Sequence, residues 1–119
     1  MQMRNHVMSL GLASGLTLGL MGGTAVAQTS INFTLDWAYQ GPTSAIIAAN
    51  ALGYFDEEGL SVTIDSGSGS AGAVTRVASG AYQMGFADIN ALVEFTVANP
   101  DQEVKAVFMV YDAAPFGLY

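Results

Sequence analysis

The sequence predicts an α/β fold, one layer of mostly parallel strands with helices on its faces. Three observations carry this expectation. Short runs rich in β-branched residues alternate along the chain with segments of helical period. The connections between them are short, and residues that start or stop a helix stand at the junctions. The composition can also build a core, since 51% of residues are hydrophobic. There is no cysteine, so no disulfide can substitute for one.

The first segment stands apart from the fold. Met1–His6 carries Arg4 and His6, Val7–Met21 is apolar and uncharged, and Ala25-Val26-Ala27 supplies a small-x-small cleavage site. That is the three-part pattern of a secretory signal peptide over residues 1–27, with Gln28 as the mature N-terminus. A retained membrane helix is the alternative, because Gly11, Gly15 and Gly19 stand at the spacing of a helix-packing face. The glycine content and the Ala-Val-Ala end favour cleavage. The expected organisation is a leader at 1–27 and one domain at 28–119, truncated at its end.

Element by element, Ile31–Leu35 (INFTL) alternates and reads as a strand, and Asp36–Gly41 is a loop. Pro42 suits a first helical turn, and Thr43–Leu52 is a helix stopped by Gly53. Tyr54–Gly59 reads as a polar turn, and Leu60–Ile64 (LSVTI) as the second strand. Ala73–Ser79 has helical spacing and is closed by Gly80, and Met84–Ala87 reads as a short buried strand. Asp88 is placed to cap a helix carrying Ile89, Leu92, Val93 and Val97 on one face, and Asn99-Pro100 stops it. Val104–Tyr111 (VKAVFMVY) is the most apolar strand. The order is β-α-β-α-β-α-β. A layer ending there lacks a partner for its last strand, as a fragment of a larger protein would.

The charges exclude several functions. After the leader, Arg76 and Lys105 face all ten carboxylates, a poor match for nucleic acid or anionic lipid. His6 is the sole histidine and leaves with the leader, so Ser-His-Asp, Cys-His and Cys/His zinc chemistry have no residues to use.

The run Ser66-Gly67-Ser68-Gly69-Ser70-Ala71-Gly72 is the most distinctive motif. A flexible linker does not fit, because strand and helix flank it closely. It also spells the dinucleotide fingerprint, with Asp88 where a ribose-binding carboxylate would stand. Against that, Asp65 would face the pyrophosphate, and the run sits in the second strand–helix–strand unit rather than the first. The third reading is a glycine turn whose main-chain N–H groups and the helix start near Ala71 receive a polar ligand, or simply a capped turn with none. Loop placement favours the ligand. In a parallel sheet every strand-to-helix loop emerges at one edge. That gathers Trp37, Tyr39, Gln40, Ser68, Gly69, Ser70, Asp88, Asn90, Tyr111 and Asp112 on one rim as candidate ligand-binding residues. Trp37 could equally pack beneath its loop, and Asp88 could serve only as a cap.

The segments LDWAYQGPTSAI, ALGYFDEEGLSVTI, SGSGSAGAVTRVASGAYQMGFAD and VKAVFMVYDAAPF resemble the opening half of periplasmic solute-binding proteins of the SsuA/THI5-like (NMT1) group. These serve ABC importers for nitrate, alkanesulfonates, taurine and thiamine-pyrimidine precursors. The resemblance implies a type II periplasmic-binding-protein fold of which this chain holds only the first half of lobe one. The second lobe, hinge and return strands are absent. It further implies that Trp37, Tyr39, Ser68, Gly69, Ser70 and Asp88 line the cleft between the lobes. The LDW motif resembles the pyrimidine-precursor binders more than the nitrate branch.

The expected function is therefore that of a monomeric periplasmic binding component which hands a small polar or heteroaromatic solute to a membrane permease. No cofactor, metal or catalytic residue is expected. Sulfonate, taurine or nitrate binding is the alternative within the family. The remote alternatives are an oxidoreductase using the glycine run, and the branch that builds the thiamine pyrimidine from an active-site histidine with iron. This sequence departs from that branch in lacking the histidine and any cysteine cluster.

Overall fold

The computed structural model describes residues 27–113, so the expected leader, apart from Ala27, lies outside the described residues. Strand β1 is Thr29–Thr34. A 3-10 turn at Gly41–Thr43 holds Pro42 in its first positions, where a missing N–H does no harm. It leads into α1, Ser44–Ala51. Gly53 takes the left-handed conformation (φ 80°) that only glycine adopts freely, and the chain turns there. Where a polar turn was expected, Tyr54–Glu57 forms a one-turn helix, α2, with Asp56 and Glu57 near its positive end.

Strand β2, Leu60–Asp65, follows with alternating burial. Helix α3, Ser70–Ala78, begins three residues before the expected Ala73, inside the glycine run. Strand β3 is reduced to Met84–Gly85. Helix α4 is Ile89–Ala98, and the Asp88 carboxylate accepts the Asn90 N–H at 2.7 Å as the expected cap.

The three strands form one parallel sheet in the order β2-β1-β3. Register runs from Thr29 opposite Leu60 to Thr34 opposite Asp65, with Phe33 opposite Met84 on the other side. Gln83 extends the short strand by one step. Its N–H donates to Asn32 O (3.1 Å) while its side-chain oxygen accepts from Asn32 N (2.8 Å). Gly85 is where α3 meets the sheet closely: a Cβ there would lie 2.9 Å from Thr34 Cγ2 and 3.2 Å from Val77 Cγ2. Among the described residues the deepest are Leu35, Thr34, Ala73 and Val74, on the strand end and α3, and Thr43 in the 3-10 turn.

One expected element is corrected. Val104–Tyr111 runs without secondary structure, and none of its backbone groups bonds to another backbone group among the described residues. Strand-favouring side chains do not make a strand; a ladder partner does. The neighbouring β3 offers only two residues, and a cavity separates it from this run. The α/β class and parallel sheet stand as expected. No helix among the described residues is long and apolar enough to cross a membrane.

Leu35 has no solvent exposure, so Leu35→Ala should lower unfolding free energy by about 2–5 kcal/mol. Val97 on α4 is exposed, and Val97→Ala should stay within about 0.5 kcal/mol. Urea unfolding followed by circular dichroism checks both.

Candidate functional site

Parallel strands end at one edge, and hydrogen bonds there tie three loops into a unit. Leu35 N donates to Asp65 O (2.8 Å), carrying the β1–β2 ladder one step further. Beyond it, Gly67 N donates to Trp37 O (3.0 Å) and Gly69 N to Asp36 O (2.6 Å). Position 67 admits only glycine, since a Cβ would sit 2.0 Å from Leu35 O. Gly69 has φ 126°, again a glycine conformation. The third loop joins through Phe86 N to Thr34 O (2.9 Å) and Asp88 N to Ser70 Oγ (3.0 Å).

This changes the reading of the glycine run. Its amides at 67 and 69 are bound to the first loop and are not open to a ligand. Among the described residues no protein acceptor satisfies the N–H groups of Ser70, Ala71 and Gly72, the first turn of α3. They carry the partial positive charge of the helix start, where a polar or anionic group is favoured.

The ten expected residues fall into two sets. Trp37 and Tyr39 are more than half exposed on the first loop. The Tyr39 hydroxyl donates to Ile64 O (2.7 Å), which lays its ring along the end of β2. Gln40 O accepts from the Thr43 N–H and hydroxyl, anchoring the 3-10 turn. Gly69 is bonded to this loop, with Ser68 and Ser70 as its chain neighbours.

Asp88, Asn90, Tyr111 and Asp112 instead line a cavity of about 700 Å³ between α3, α4 and residues 104–113. There Tyr111 meets Phe86 at 6.0 Å between tilted rings. Trp37 and Tyr39 do not reach that cavity. The two sets touch only where Ser70 accepts from Asp88, and both Ser70 Oγ and the Asp88 carboxylate are already engaged in protein hydrogen bonds.

Arg76 is the residue that sequence reasoning missed. It lies within α3, yet helix side chains lean toward the N-terminus, and this carries its guanidinium under the glycine run. One nitrogen donates to Thr34 Oγ1 and Ser66 O, each at 3.0 Å. The same group stands 5.5 Å from the Tyr82 ring centroid. The signal was available, since Arg76 is the only cation between the leader and Lys105. Asp36 was also passed over. Its Oδ1 is sealed from solvent and has no hydrogen-bond partner among the described residues.

Tyr82 donates its phenol hydrogen to Asp65 Oδ2 (3.0 Å). That bond, with slight desolvation and the Asp65 charge, raises the phenol above its ordinary value; Arg76 pulls the other way.

A parallel α/β layer whose strand-end loops are tied together, with aromatic faces and helix-start amides left open, has the groups that a small-molecule site uses. The NMT1/THI5-like family model matches residues 42–119, more than half of the chain, and the chain belongs to that family. The family includes solute-binding proteins of ABC importers, and some members are synthases. Trp37, Tyr39 and Gln40 lie just ahead of the matched residues. Comparison with curated proteins and with solved structures gave no match.

Gly67→Ala should destabilise by about 1–3 kcal/mol through forced separation of the first two loops. Gly41→Ala, with open space around it, should be near neutral in the same urea titration. Tyr82 should ionise above the ordinary phenol value when absorbance at 295 nm is followed upward in pH. Because its folded value is raised, the bond's stabilisation is full below the unfolded phenol value (about 10) and fades as pH climbs through the folded one. Asp65→Asn should remove most of that delay.

Proposed function

We propose that this chain forms one wall of the binding site in a solute receptor for an ABC importer, and that the solute is small, polar and heteroaromatic, of the thiamine-pyrimidine-precursor kind. One observation carries the reading: the loop bearing the exposed Trp37 and Tyr39 rings is hydrogen-bonded to the turn that opens α3, whose first amides have no protein acceptor among the described residues. A flat ring stacks on the indole or phenol, and its polar substituents accept from the α3 amides. Family membership supports solute binding, since the family is mostly of that kind. Binding alone is the activity, with an opposing lobe closing over the ligand and the closed form recognised by a permease. The leader supports export, with cleavage after Ala27 delivering the domain to the periplasm.

Trp37 is the sole tryptophan, so its emission reports on this wall alone. Titrating an aminopyrimidine into the purified protein should quench it. Trp37→Ala should weaken binding by about tenfold, the worth of one aromatic stack. Taurine, an alkanesulfonate and nitrate run in parallel separate the anion-binding alternative. An anion held at the α3 start should bind without quenching and should weaken as salt rises. No response to any of the four solutes would sink the proposal.

A further inference from the structure

The hydrogen bonds of Arg76 end on atoms that bear directly on the first loop. Ser66 O, which accepts from it at 3.0 Å, belongs to the same peptide unit as Gly67 N, which donates to Trp37 O at 3.0 Å. That unit is planar and trans, so its carbonyl and its N–H point to opposite sides. The plane is therefore held at both ends, by the guanidinium on one side and the Trp37 main chain on the other. Turning it would break both bonds together.

The guanidinium is itself fixed. The same nitrogen donates to Thr34 Oγ1 (3.0 Å). The Thr34 hydroxyl has no solvent exposure and spends its own hydrogen on Leu35 O (3.1 Å), so Arg76 is the donor that satisfies its oxygen. Without that donor a buried acceptor is left bare, which is costly. The Tyr82 ring flanks the guanidinium at 5.5 Å, and the Tyr82 hydroxyl is tied to Asp65, next to Ser66 in the chain. Among the described residues Arg76 makes no ion pair, so no carboxylate competes for these bonds.

We infer that Arg76 is a positioning residue for Trp37: through the 66–67 peptide plane it sets where the first loop holds its indole. Its consequence for solute binding rests on the stacking role proposed for Trp37; its effect on the unliganded loop does not.

Arg76→Met keeps the apolar stem and removes every donor. In the unliganded full chain, exchange of the Gly67 amide, followed by NMR, should quicken about tenfold relative to the interior amides of α3, the scale of one charge-assisted hydrogen bond. Val74→Ala, which removes buried bulk from the same helix, should leave that ratio unchanged. Because a single nitrogen makes both bonds, the ammonium of Arg76→Lys can supply them and should restore most of the protection. Arg76→Gln, with a shorter donor, serves in place of Arg76→Met if the latter does not fold. An aminopyrimidine should bind Arg76→Met about threefold more weakly than the unmodified chain, because the indole is held less firmly. An unchanged Gly67 ratio, equal quickening throughout α3, or an Arg76→Lys variant as loose as Arg76→Met would overturn the positioning role. So would unaltered solute affinity beside a loosened Gly67. If the unmodified chain binds none of the four solutes, the receptor reading falls, and the Gly67 ratio still decides the role of Arg76.

Discussion

Two peptide N–H groups, those of Gly67 and Gly69, hold the first two strand ends in one place, and the rest of the edge is organised around them. Each reaches a carbonyl of the opposite loop; at 67 the backbones come closer than a side chain would permit, and at 69 the backbone takes a φ of 126° that favours glycine. Trp37 and Tyr39 stay exposed on the first loop, and α3 begins directly after Gly69, with the N–H groups of its first turn unbonded among the described residues.

Beneath this edge lies a second polar layer. Arg76 gathers the Thr34 hydroxyl and the Ser66 carbonyl, while Tyr82 joins Asp65 from beside it. A cation surrounded by neutral oxygens and an aromatic face supports the loops without being consumed by a carboxylate. The sealed Asp36 oxygen near the same junction leaves this layer incompletely satisfied.

Much of this was legible beforehand. The alternation in INFTL and LSVTI, the glycine stops at 53 and 80, and the Asp88 cap each act within a few residues, and each appeared where expected. The common edge of the loops followed from parallel order alone. Contacts between distant segments could not be read in the same way. Nothing local distinguishes a glycine amide facing solvent from one donating to a carbonyl thirty residues earlier. Likewise, the residues of VKAVFMVY favour a strand, but pairing is a property of two segments, and the sheet presented only two residues of β3 nearby. Arg76 could have been placed from helix geometry; the short α2 turned on a marginal balance between turn and helix.

The hydroxyl of Ser70 accepting the Asp88 amide makes a mechanical coupling out of a capping detail. Both helices that follow the site, α3 and α4, have their first residues on either side of that single bond. Neither can tilt at its origin without dragging or stretching the other. A shift of the leading turn of α3 is therefore passed to the start of α4 both through that oxygen and through the packing of the two helices.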